Sequence, residues 1–381
     1  MLARRTDKRS IKVCLQASLL TYNPLTKYAK VIFTFISSAN YSTFFPSIAT
    51  TQSSPKDKVA EMRRAIEAGD YPNIDGILMA RKGQLLVEEY FGDFGRDSLH
   101  DTRSAFKSVT SLLAGIAIEK GLFTVEDELR TIFPEWANDK RGSITIRDLL
   151  EMRSGLACEG FFGVGPDCES LMWETDDWLE FILQIPLRHE PGLNWEYTSM
   201  EPELLGIAIA RTSNMSLPEF AKVHLFEPMG ITDYEWYITP NGGGYAAGSF
   251  YMKPADMLKI AQLVLDKGNW QGKQLVSADW IDESTTCKID VEMSFVRFSS
   301  MLNAKYSTAN YGYLWYREVL QYGDIKTEAL FASGNGGQYM MVLEDYDAAL
   351  AFTGSNYGNW RGKLPFELVL QYLIPILEEQ D

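Results

Sequence analysis

Apolar and polar positions recur along this chain with two different periods, and the period changes where the element type changes. From Lys58, KVAEMRRAIEAGDY has a helical apolar rhythm that ends at a glycine. Next, IDGILMARKGQLLVEEYFG carries two branched-apolar segments around RKGQ and predicts a β-hairpin. From 104 to about 240 the rhythm is mostly helical, as in SVTSLLAGIAIEKG, ITIRDLLEMR, TDDWLEFILQIP and PELLGIAIARTSN. Strand patterns return from about 310 in YGYLWYREV, KTEALFAS, GQYMMVLED and AALAFTGS, with the glycine-rich SGNGG between the second and third. An amphipathic helix, PFELVLQYLIPILEE, closes the pattern. A sheet drawn from both ends of the chain implies one α/β domain with an all-helical region inserted in its middle. The expected division is an extension over 1–57 and a body over 58–381. The body's α/β part falls at about 58–103 and 241–381, and its helical part at about 104–240.

The extension follows neither period. Residues 1–13 are basic, and VIFTFISSANYSTFFPSIA at 31–49 is apolar but broken by Ser, Asn and Pro. That is too interrupted for a membrane span. With Lys27 and Lys30 ahead of it and Ala49 at its end, it fits either an export signal or an upstream extension, so the compartment stays open. TTQSSPKD at 50–57 reads as a linker.

Composition narrows the function classes. With 46% hydrophobic and 23% charged residues, a chain of 381 residues can build a large core. The net charge of −15 argues against a nucleic-acid partner, because phosphate binding needs a basic face. His100, His189 and His224 have no metal-ligand spacing, so no metal site is expected. No G-x-S-x-G, G-x-G-x-x-G or P-loop occurs, and no cofactor is implied. Cys14, Cys158, Cys168 and Cys287 form no C-x-x-C. Cys158 and Cys168 bracket CEGFFGVGPDC, where a disulfide and two free thiols are equally open.

The candidate chemistry lies in RSAFKSVTSLLAG. Ser104 and Lys107 stand one helical turn apart at the head of an apolar run, with Phe106, Val109, Leu113 and Ile116 marking one buried face and Gly121 ending the helix. A serine at a helix start meets unpaired N–H groups and the positive end of the dipole, which favour a developing oxyanion. Burial disfavours a lysine's charged form, which suits it to accept the serine proton. The competing reading is a helix N-cap followed by a surface lysine. A second S-x-x-K, Ser53 to Lys56, sits in the linker with no helix expected to hold it.

SAFKSVTSLLAGIAIEKGL, followed by ITIRDLLEMRSGL, resembles the serine β-lactamase and penicillin-binding-protein superfamily. More narrowly, it resembles the class C β-lactamase-like branch, with its family VIII carboxylesterases and 6-aminohexanoate-dimer hydrolases. PGLNWEYTS, LFEPMGI, ADMLKIAQLVLDKGNWQGKQLVSADW and ASGNGGQYMMVLED follow in that branch's order, so the resemblance covers about residues 60–380. It implies an α+β, β-lactamase/transpeptidase-like fold: an antiparallel sheet flanked by N- and C-terminal helices, with the helical region inserted.

The resemblance also implies roles. Ser104 would be the nucleophile, Lys107 its activating partner and Tyr197 the shared acid/base. Ser199 stands where the branch has Asn, in doubt as a contact to substrate or Lys107. The third box corresponds to Phe331-Ala332-Ser333-Gly334-Asn335-Gly336-Gly337. There a backbone N–H of Gly334 or Asn335, beside Gly336, would join that of Ser104 in an oxyanion hole. That box normally begins with a cation, absent here, which shifts the expected substrate from β-lactams towards small neutral esters or amides. Phe161, Phe162, Trp173, Trp178, Trp195 and Tyr339 flank the boxes as candidates for an apolar pocket. The rival readings are a β-lactamase or D,D-peptidase, a linear-amide hydrolase and a non-catalytic binding protein on the same scaffold.

Overall fold

The computed structural model describes residues 54–158, 167–295, 305–306 and 308–379. Its first helix, α1 (Pro55–Glu67), begins before the expected Lys58. Ser54 and Asp57 form a reciprocal capping box and Pro55 takes the first turn, where its missing N–H costs nothing. Part of the expected linker is therefore helix, and Lys56 lies on it, contrary to the sequence expectation; Ser53 lies outside the described residues.

The hairpin forms as expected from β1 (Ile74–Arg81) and β2 (Gln84–Tyr90). Lys82 and Gly83 turn it with φ of 50° and 72°, the left-handed pair that matches strand twist. The other long strands are β3 (Tyr316–Tyr322), β4 (Ile325–Gly334), β5 (Gln338–Leu343) and β6 (Ala348–Gly354). The large sheet runs β2-β1-β6-β5-β4-β3 and continues through the short strands Asn310–Tyr311 and Ile289–Asp290. Every pairing in it is antiparallel. The register of β1 on β6, from Arg81 opposite Ala348 to Ile74 opposite Gly354, joins the two ends of the body.

Helix α1 packs on the C-terminal helical run over residues 364–378. That run passes through a π-turn at Val369–Leu373, just before Pro375, which has no N–H to continue the α ladder. Between the sheet's two halves, the chain forms α2 (Phe106–Glu119), α3 (Cys168–Trp173) and α4 (Met200–Ser213) among other short helices. Later α5 (Pro254–Leu265) lies on β1, β5 and β6.

Helix α2 differs from its expected one-sided pattern. Every residue from Phe106 to Ala117 is buried, so the helix runs through the middle of the fold. Two of its polar residues are tolerated because distant backbone meets them. Ser108 Oγ donates to Leu314 O at 2.5 Å and Thr110 Oγ1 to Ala246 O at 2.7 Å. Its buried Leu112, Leu113 and Ile116 each contribute about 1.5–3 kcal/mol. The helix ends as expected, with Gly121 at φ 70°.

Candidate active site

Ser104 sits in a 3-10 turn, Arg103–Ala105, that leads into α2. The turn is anchored on both sides. Thr102 donates from its N–H and its hydroxyl to Phe250 O, both at 2.8 Å. Arg103 is held at φ 49° by Asp101, which accepts from its backbone N–H at 2.9 Å and pairs with its side chain at 2.9 Å. A non-glycine residue in that conformation is locally strained, a state found where function fixes a side chain.

Lys107 is only 2% exposed. Its Nζ donates to Ser104 Oγ at 3.0 Å and to Ala247 O at 3.0 Å. The reading of Ser104 as an N-cap and Lys107 as a surface residue is thereby removed: the helix cap is Ala105, and it makes no side-chain cap bond. The Lys107 amine also lies 5.1 Å from the centre of the Tyr197 ring. Ser104, Lys107 and Tyr197 are brought together.

Buried acids that the sequence motifs do not name brace this group. Glu201, in the first turn of α4, accepts from Ser154 Oγ at 2.6 Å and from the hydroxyl of Thr198, the residue after Tyr197. Burial raises its carboxyl above the ordinary range. Glu203 accepts from Ala246 N at 2.9 Å, and burial pushes its carboxyl up to about 7. Ala246 therefore sits between Glu203 and Thr110, next to the carbonyl that holds Lys107. A signal for both acids exists in SMEPELLG, where two carboxylates interrupt an apolar helical run.

The hydroxyl of Ser199 does not donate to Lys107. It donates to Glu169 Oε2 at 2.6 Å, and the other oxygen of Glu169 accepts from Tyr245 at 2.8 Å. Glu169 follows Cys168, which is joined to Cys158 in a disulfide.

The third box ends β4. A β-carbon at Gly334 would lie 2.2 Å from Thr102 O and 3.2 Å from Ala105 N, so this strand end abuts the turn that carries Ser104. Asn335 turns away, accepting from Gly358 N at 2.9 Å through its amide oxygen. Gly336, at φ 99°, bridges to Asn356. The usual cation's position falls on Phe331, Ala332 or Ser333, none of them charged; Phe331 is fully buried and stacked on Tyr316 with ring centres 5.7 Å apart.

The flanking aromatics divide. Trp178 and Tyr339 are core, Tyr339 donating to Gly362 O at 2.9 Å. Trp173 is 38% exposed and packs on Tyr237, while Trp195 lies between Tyr197 and Tyr311 with ring centres 6.2 and 5.4 Å away. Phe161 and Phe162 lie outside the described residues. Among the described residues no helix is long and apolar enough to cross a membrane.

A large antiparallel sheet, a central helix and a serine-lysine pair at its head define a protein of the β-lactamase/transpeptidase-like fold. The structure of a penicillin-binding protein from Bacillus halodurans is similar, with a TM-score of 0.62 at 13% identity over 82% of this chain and 99% of that one. At such identity the likeness is one of fold. The Beta-lactamase family model matches residues 65–373, and the chain belongs to that family. It is 23% identical over 222 residues to a 6-aminohexanoate-dimer hydrolase of Paenarthrobacter ureafaciens, covering 55% of this chain and 56% of that protein. It is 26% identical over 159 residues to a lovastatin esterase of Penicillium rubens, covering 35% and 38%. The chain thus matches about half the length of the first of these curated relatives, and less of the second.

Proposed function

We propose that the protein is a serine hydrolase that cleaves small esters or amides through an acyl-Ser104 intermediate. The observation that carries this reading is the 3.0 Å contact between the buried Lys107 amine and Ser104 Oγ. Lys107 takes the serine proton as Oγ attacks the substrate carbonyl carbon. Backbone N–H groups of Ser104 and of the third box hold the oxyanion. Tyr197, beside the lysine, relays the proton to the leaving oxygen or nitrogen as its bond to the carbonyl breaks. Water then hydrolyses the acyl-serine and restores the hydroxyl. The body serves as one catalytic unit, with the helical part at about 104–240 inserted in the α/β part.

The lack of a cation at Phe331, Ala332 or Ser333 supports a neutral substrate. A linear amide is the second reading, favoured by the similarity to the aminohexanoate-dimer hydrolase. Hydrolysis of p-nitrophenyl butyrate by wild type and Ser104→Ala tests the first. Turnover that vanishes in the alanine variant supports Ser104 as nucleophile; equal turnover in both rejects it. Free amine released from linear amides, without ester turnover, favours the second.

A further inference from the structure

Glu169 occupies an unusual position. Its two carboxylate oxygens accept from two buried hydroxyls, Ser199 at 2.6 Å and Tyr245 at 2.8 Å, that come from separate parts of the chain. Ser199 follows Tyr197 by two residues and begins α4. Tyr245 opens the segment Tyr245–Ala247, whose carbonyls hold Thr110 and the Lys107 amine. One carboxylate thus ties the tyrosine's stretch of chain to the stretch that aims the lysine. Two donors converging there call for two acceptor oxygens, which a carboxylate has and an amide lacks. Unpairing either buried hydroxyl would carry a desolvation cost.

Helix α3, which bears Glu169, has only six residues and little intrinsic stability. Its first residue is Cys168, and both halves of the Cys158–Cys168 disulfide are buried. We propose that Glu169 is a positioning residue for Ser104, Lys107 and Tyr197, held in place by the Cys158–Cys168 disulfide, so that turnover falls when this disulfide is lost. The inference rests on the serine-hydrolase reading above.

The test is steady-state hydrolysis of p-nitrophenyl butyrate by the full chain, with the rate of Ser104 labelling by a fluorophosphonate. It compares wild type, Ser104→Ala, Glu169→Ala, Glu169→Gln and the double variant Cys158→Ser with Cys168→Ser. In Glu169→Ala, kcat and labelling fall together by about tenfold to a hundredfold while KM holds. Glu169→Gln, which keeps one acceptor and the packing volume, falls less. The cysteine variant, or wild type treated with a phosphine reductant, falls in the same direction. If Ser104→Ala is inactive while both Glu169 variants match wild type, or change KM alone, the positioning role is overturned. Loss of kcat in Glu169→Ala with no effect of removing the disulfide overturns the disulfide's part alone. A Ser104→Ala variant that keeps activity overturns the serine reading and this inference with it.

Discussion

Gly334 lies against Thr102 so closely that a β-carbon on it would stand 2.2 Å from the Thr102 carbonyl oxygen. The third box and the nucleophile's turn are thus in backbone contact. Gly334→Ala should shift the Thr102–Ala105 turn, destabilise the fold by about 1–3 kcal/mol and reduce ester turnover by about a hundredfold. Thermal unfolding and p-nitrophenyl ester assays measure the two effects. Unchanged turnover would show that the strand end and the turn are independent.

Lys107→Met keeps the length and burial of the side chain but removes the amine. General-base catalysis contributes about 10²–10⁴-fold, and ester turnover should fall within that range while circular dichroism stays that of the wild type. A folded variant with near-normal turnover would take Lys107 out of the reaction.

Glu203 gives a pH dependence whose sign is fixed. Burial raises its carboxyl from the ordinary 4.5 to about 7, so between these values the folded protein holds a proton that the unfolded chain has lost. The associated stability is complete below about 4.5 and lost as pH rises through about 7. The amount is on the order of 3 kcal/mol. Glu203→Gln keeps an acceptor for the Ala246 N–H but cannot ionise. Denaturant titrations from pH 5 to pH 8 should show a flatter profile in the variant, with its largest advantage at the alkaline end; parallel profiles would contradict the assignment.

Gly115→Ala sets helix propensity against packing. Alanine in a helix interior is favoured over glycine by about 1 kcal/mol. Here the new β-carbon would lie 2.2 Å from the Trp280 ring, whose N–H donates to Ser111 O at 3.0 Å. Overpacking should win and lower stability by about 1–3 kcal/mol. Adding Trp280→Leu should recover part of the Gly115→Ala loss, read as a coupling energy in a double-mutant cycle.

What could be read from the sequence follows the range of the forces involved. The hairpin over β1 and β2, the glycine stop of α2 and the order of β4 to β6 rest on local periodicity and turn residues, and these were legible. The start of α1 was missed: Ser54, Pro55 and Asp57 read as a linker by their polar composition, although together they cap the helix. Burial all round α2 was not legible, because Ser108 and Thr110 look like a solvent face until Leu314 and Ala246 are beside them. The same holds for the site. Ser104 and Lys107 are neighbours on one turn, whereas Glu169 acquires its meaning from Ser199 and Tyr245, which only the folded chain brings to it.

The pairing of Ile74–Arg81 with Ala348–Gly354 also sets an order of events during synthesis. The first hairpin is synthesised well before its partner strand. Until then one edge of β1 has no native partner, and closing the sheet must wait for a contact that spans nearly the whole body. Such long-range closure slows folding and leaves an unpaired strand edge open to aggregation in the meantime. A chain cut short before Ala348 would carry the serine, the lysine and the tyrosine, but no closed sheet to hold them.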